Sequence, residues 1–196
     1  MSFYELSTKI KKDMVENFIS VNQTKNPVSI SLYYQEYREL SSFNRDVLKS
    51  LSPLINGTTH LEFFKNKTGE LVFLEIAARS PGASVPYIYE INSGINYQEA
   101  FFKLQMNLDL QIISQQGPYA AWLWFPKTEN AQIIHLNSPK VQSQTEIIWH
   151  VQKNECIQKS QTVRERINEI IIYNSNYQHL RNDFEYLKTM YQPCEF

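Results

Sequence analysis

The chain is 196 residues long, 42% hydrophobic and 13% aromatic, enough apolar material for one good core or two small ones. Nineteen basic against twenty acidic residues leave a net charge of -1, and no basic cluster is interleaved with aromatics, which argues against nucleic acid as a partner. No apolar run is long enough to span a bilayer and no secretory leader opens the sequence, so no membrane association is expected and the cytoplasm is the expected location. Cys156 and Cys194 form no CxxC pair, and His60, His135, His150 and His179 are scattered, which argues against zinc.

In chain order, residues 3–21 read as a lysine-bearing amphipathic stretch, with Lys9, Lys11 and Lys12 on a solvated helix face. A short apolar alternation follows at Val28, Ile30, Leu32 and Tyr34. Residues 39–52 carry apolar side chains at 40, 43, 47, 48 and 51, a helical stripe that Pro53 and Asn56-Gly57 bring to an end.

Residues 58–76 read as a tight antiparallel hairpin turning between Asn66 and Gly69. With a two-residue loop at Thr68-Gly69, Lys67 pairs with Glu70 and Glu62 stands directly opposite Glu75. Alternation along the strands then puts His60, Glu62, Phe64, Leu71, Phe73 and Glu75 on one face, with Leu61, Phe63, Val72, Leu74 and Ile76 on the other. Opposed like charges repel unless a divalent cation lies between them, and magnesium commonly takes one or two carboxylates together with substrate phosphates. The plainer alternative is a pair of ordinary surface glutamates, put out of opposition by a longer loop. His60 reads as packing or hydrogen bonding beside that face rather than as a ligand, because magnesium prefers oxygen.

Arg79 follows Glu75 by four positions, and a Pro81-Gly82 turn follows Arg79. A guanidinium fork suits phosphate or carboxylate, and the turn lets backbone approach a ligand; alternatively Arg79 pairs with a neighbouring glutamate and holds the loop. Asn96 with Glu99 three positions on opens a helix whose apolar face is Tyr97, Ala100, Phe101, Leu104 and Leu108.

Gly117-Pro118 marks an expected boundary. Beyond it, strand signals occur at residues 119–125, 131–136, 146–151, 155–158 and 169–173. Ser175 is the expected cap of a last helix with Tyr177, Leu180, Phe184, Leu187 and Met190 on one face. Trp122, Trp124 and Trp149 could line a pocket, but aromatics alternating on strands are more often core, and no role is assigned to them.

Three separated blocks over residues 58–100 carry a resemblance: His60-x-Glu62-Phe63-Phe64, then Phe73 to Gly82, then Gly94 to Ala100. They resemble the C-terminal half of an ATP-grasp ligase, closest to the branch that holds carnosine-synthase-like enzymes and L-amino-acid ligases. The resemblance implies that Glu62 and Glu75 ligate the Mg2+ ions bridging the phosphates of ATP. It implies that Phe64 packs against adenine, although an aromatic there is equally a core residue, and that Arg79 holds the transferred phosphoryl group or the acyl phosphate. Ala77 departs from the asparagine that many members use as a further metal ligand. Ala83 stands where the branch often has a second glycine.

The expected fold is therefore α+β, an antiparallel sheet with helices. Residues 1–116 would form a partial ATP-grasp domain and residues 117–196 a small α+β C-terminal lobe like the one that closes the substrate site in such enzymes. The upstream ATP-grasp domains are expected to be absent, since no glycine-rich phosphate loop precedes the hairpin and the chain has five glycines. The implied function is the ATP- and Mg-binding portion of a carboxylate-amine ligase, acting on an amino acid or other carboxylate through an acyl phosphate. A second polypeptide or a further copy of the chain would complete it. The alternative is a truncated, non-catalytic ATP-grasp-like remnant or partner-binding module.

Overall fold

A computed structural model describes the backbone of residues 2–11, 14–22, 28–31, 37–51, 57–66, 68–109, 117–162 and 165–196, with side chains from residue 42 onward apart from those at 57, 58 and 65. The chain divides into two units, one of Met1–Thr24 and Ser29–Gly117, the other of Lys25–Val28 and Pro118–Phe196. Both are α+β with antiparallel pairing.

The first unit opens with β1 (Ser2–Lys11) and β2 (Met14–Asn22), which pair as an antiparallel hairpin. This overturns the helical reading of residues 3–21, and Lys9 and Lys11 belong to a strand, while Lys12 lies outside the described residues. The reason is periodicity: Tyr4, Leu6, Thr8 and Ile10 alternate with Glu5, Ser7 and Lys9, the pattern of a sheet strand. The register sets Tyr4 opposite Val21, Leu6 opposite Ile19 and Ile10 opposite Val15, so like meets like across the ladder. The alternation at Val28 and Ile30 forms β3 (Val28–Ser31); Leu32 and Tyr34 lie outside the described residues.

The expected helix is α1 (Tyr37–Ser50), shifted two residues toward the N-terminus. Pro53 and Asn56 lie outside the described residues, and Gly57 belongs to the next strand. That strand, β4 (Gly57–Lys65), pairs with β1 on one side and β5 (Leu71–Ala77) on the other. The strand order in this unit is β5-β4-β1-β2-β3. Leu61 and Phe63 are fully buried with Phe43 and Val47 of α1, Leu71 and Ile76 packed against them. The Phe43 and Phe63 rings lie 5.5 Å apart.

After β5 comes a helix absent from the sequence reading, α2 (Val85–Ser93). Pro86 sits in its first turn, where a missing N–H costs nothing, and Gly94 closes it at φ 71°. Asn96 then caps α3 (Tyr97–Gln105) as expected, its side chain accepting the Glu99 N–H at 2.9 Å. The Asn96 amide also donates to the Glu90 carboxylate at 3.1 Å, joining the ends of α2 and α3. Tyr97, Ala100 and Leu104 are buried; Leu108 lies past the helix end and is exposed.

The second unit is built on β6 (Tyr119–Pro126), β11 (Arg166–Asn174) and β9 (Gln144–Trp149), with β11 between its neighbours. Two short ribbons attach to it. One pairs β7 (Ala131–Gln132) with β10 (Cys156–Ile157), and the other pairs β8 (His135–Leu136) with β12 (Cys194–Glu195). Residues 131–136 thus serve two partners and break into two pieces rather than forming one strand. Helix α4 (Tyr177–Thr189) packs on β6 and β11 through Leu180, Phe184 and Leu187. Asn176, not Ser175, is its cap, accepting the Gln178 and His179 N–H groups; Met190 falls beyond the helix and is exposed. Among the described residues no helix is long and apolar enough to cross a membrane.

Candidate functional site

The two glutamates singled out by spacing do meet across the ladder: Glu62 of β4 pairs with Glu75 of β5. The route differs from the expected one. Lys65 pairs with Leu71, leaving a five-residue turn from Asn66 to Glu70 where two residues were expected. Lys67, the expected partner of Glu70, lies outside the described residues. The Asn66 side chain organises this turn, accepting from the Thr68 and Glu70 N–H groups at 3.0 and 2.9 Å, while its amide donates to the Glu70 carboxylate at 2.8 Å. Such Asx geometry replaces the ladder bonds that a longer loop gives up.

The turn by itself would put Glu75 one position out of phase with Glu62. An extra residue in β5, Leu74, restores the pairing, because the register shifts between Glu62 and Phe63. The same bulge corrects the expected face assignment. Phe73 pairs with Phe63 and Leu71 with Lys65, so neither shares a face with the glutamates, whereas Val72 pairs with Phe64 on the glutamate side. Leu71 packs on the Leu61-Phe63 cluster instead.

Glu62 is mostly shielded, with its side chain 18% exposed, and Glu75 is exposed on the outermost strand of this unit's sheet. His60, 4% exposed, lies two positions before Glu62 on the same face, its Nδ1 4.0 Å from a Glu62 carboxylate oxygen. That agrees with a histidine packed beside the glutamates. Phe64 is half-buried two positions beyond Glu62. Arg79 lies past the end of β5, exposed, with Nη1 donating to the Ser80 carbonyl at 3.1 Å.

The loop after Arg79 leads through buried Pro81 and exposed Gly82 to Ala83, which adopts φ 55°. An L-residue with a Cβ is strained there, where glycine is at ease. A residue that spacing missed is Glu5, which occupies the register position opposite Glu62 on the β1 side of β4. Reading residues 3–21 as alternating rather than helical would have placed it in that row. The other missed carboxylate is Glu169 in the second unit, 6% exposed, which accepts from Trp122 Nε1 at 3.0 Å and contacts His150 Nε2 at 2.9 Å and Arg166 Nη2 at 2.7 Å. Arg166 also lies over the Trp124 ring, 5.1 Å from its centroid. Trp122 is thus a core residue with its one polar atom satisfied, whereas Trp124 and Trp149 are only half-buried.

Opposed carboxylates are the kind of oxygen donor that a hard divalent cation takes and a guanidinium the kind that phosphate takes, while among the described residues no group of three or more His, Cys, Asp or Glu side chains gathers for a metal. Neither a protein-family model nor a curated protein sequence matches the chain. Solved structures do. Phosphoribosylglycinamide synthetase from Anaerococcus prevotii superposes with a TM-score of 0.75 at 16% identity, over 98% of this chain and 52% of that one. L-amino acid ligase from Bacillus licheniformis follows at 0.72 and 15%, over 99% and 51%. The biotin carboxylase domain of Hydrogenobacter thermophilus 2-oxoglutarate carboxylase, in complex with MgADP, ADP and bicarbonate, superposes at 0.66 and 15%, over 99% and 46%. At these identities the likeness is one of fold, and the chain spans about half the length of the structures it matches.

Proposed function

We infer that this chain, which has the ATP-grasp fold, is the Mg2+- and ATP-binding portion of a carboxylate-amine ligase working through an acyl phosphate. The observation that carries this reading is the direct opposition of Glu62 and Glu75, restored by a bulge where the turn would have lost it. A repulsive pair held in register by an inserted residue is better explained by a cation than by chance.

Glu62 and Glu75 are the residues that would hold magnesium, whose charge neutralises phosphate oxygens in phosphoryl transfer. Phe64 supplies an apolar surface for the base, on the same face. Arg79 would meet the phosphoryl oxygens with its planar donor fork after giving up the Ser80 carbonyl. In the proposed reaction the terminal phosphoryl group passes from ATP to a carboxylate oxygen, leaving ADP. An amine then attacks the acyl carbon, the bond to phosphate oxygen breaks, and the amine loses a proton.

In this reading a lysine clamp and part of the substrate contacts would come from the half of the structural neighbours that this sequence does not span, and the rest of the substrate contacts from loops of this chain. Val72, Phe73 and Leu74, 37, 48 and 44% exposed on the edge strand that carries Glu75, leave apolar surface on both of its faces for a partner supplying that half. Coverage of about half of each neighbour equally supports the second reading, a non-catalytic module that keeps the fold. Calorimetric titration with Mg-ATP, with Glu75→Gln as control, tests the site: heat that vanishes in the variant is expected, and binding indifferent to the substitution defeats it. Phosphate release across a panel of amino acids, with and without the completing half, separates a ligase from a remnant.

A further inference from the structure

The second unit contains a cavity of about 620 Å3 between the end of β6, the end of α4 and β12. Small-molecule sites commonly measure roughly 300–1,000 Å3. This half-open space is lined by Ile167 and Cys194, 1% and 5% exposed, and by Phe125 and Tyr191, whose rings meet edge to face with centroids 5.1 Å apart. Phe196, 37% exposed, also lines it. The Tyr191 hydroxyl donates to the Asn137 carbonyl and accepts from Asn168 Nδ2 at 3.3 Å. Those bonds hold the ring in place, so the cavity does not close by a rotation of Tyr191.

The charges at this cavity are unequal. Among the described residues Glu129 and Glu195 line it, both exposed, against Lys188 alone of the basic ones. Burial pushes the Cys194 thiol pKa up, and the negative charge of Glu129 acts in the same direction. An anion there would meet the same penalty. A cation gains from the carboxylates.

We propose that this cavity binds a small amphipathic organic cation, an amine whose apolar body lies against Phe125, Tyr191 and Phe196 and whose ammonium faces Glu129 and Glu195. The site uses no residue of the proposed magnesium-nucleotide site, so either reading can fail without the other. The test is an amide NMR titration of the full chain with 2-phenylethylamine, 2-phenylethanol and phenylacetate, which match in size and differ in charge. The amine is expected to shift the resonances of Glu129, Cys194 and Phe196 saturably, about tenfold more tightly than the alcohol, with phenylacetate weakest. In the Glu129→Gln, Glu195→Gln double variant that preference is expected to disappear, and because both side chains are exposed the spectrum should keep its dispersion. Equal response to all three compounds, preference for phenylacetate, an unaffected double variant, or no saturable shift at these residues would overturn the proposal.

Discussion

Glu62 and Glu75 stand directly opposite one another although the turn that joins their strands is one residue out of phase with that pairing. Leu74 makes up the difference as the extra residue of a bulge. Two local irregularities thus cancel, and their joint product is a pair of carboxylates on one face.

Opposed like charges destabilise a ladder by up to about 1 kcal/mol. Glu75→Gln should therefore stabilise the ligand-free protein by a few tenths to about 1 kcal/mol in urea denaturation. With Mg-ATP present the order should reverse, because the ligand stabilises the wild type and not the variant. A variant less stable than wild type in both conditions would mean that Glu75 has a structural role instead.

Ala83 at φ 55° carries a strain of about 1–2 kcal/mol, of which glycine's greater unfolded-state freedom takes back roughly half. Ala83→Gly is expected to raise stability by up to about 1 kcal/mol, and Ala83→Val to lower it. Thermal melts of the two variants should fall on opposite sides of the wild type.

Gly117 leaves no room for a side chain. A Cβ there would lie 2.2 Å from the Ile91 carbonyl oxygen and 3.0 Å from that of Asn92, both backbone atoms that a rotamer change cannot move. The Gly117 N–H also donates to the Asn92 carbonyl at 2.7 Å, and a shift would break that bond. Gly117→Ala should cost about 2–3 kcal/mol, read from the urea midpoint, despite being the mildest substitution available.

Burial raises the Tyr191 pKa from 10.0 to about 12, opposed by its hydrogen bond with Asn168. The folded protein therefore keeps a proton that the unfolded chain loses, and stability falls as pH rises between 10 and 12, with no contribution from this group below pH 10. Stability measured across that interval should show a downward slope that Tyr191→Phe flattens. A slope unchanged in the variant would assign the alkaline loss to other groups.

Much of the fold was legible locally. The stripe at 43, 47 and 48 marked α1, Asn96 with Glu99 marked the start of α3, and unbroken β-branched residues marked β11. Where reading failed, the signals competed. Residues 3–21 carry lysines that mimic a solvated helix face, yet their alternation is that of strands whose neighbours, β4 and β2, lie far off or across a turn. Helix α2 was missed because Pro86 is a breaker in general and harmless only in a first turn. Residues 131–136 were read as one strand because the two distant ribbon partners that divide them cannot be seen in the segment itself.

At the candidate site the chain order determined which residues are available: two glutamates on adjacent strands, an arginine four positions later and a turn after it. Tertiary structure decided their phase. A turn length and a bulge each move side chains from one face to the other, and only their combination, set by how Leu71 and Ile76 bury against Leu61 and Phe63, puts the carboxylates together and sends Phe73 elsewhere. Pairing register is a property of two strands and the core beneath them, so neither strand's residues specify it alone.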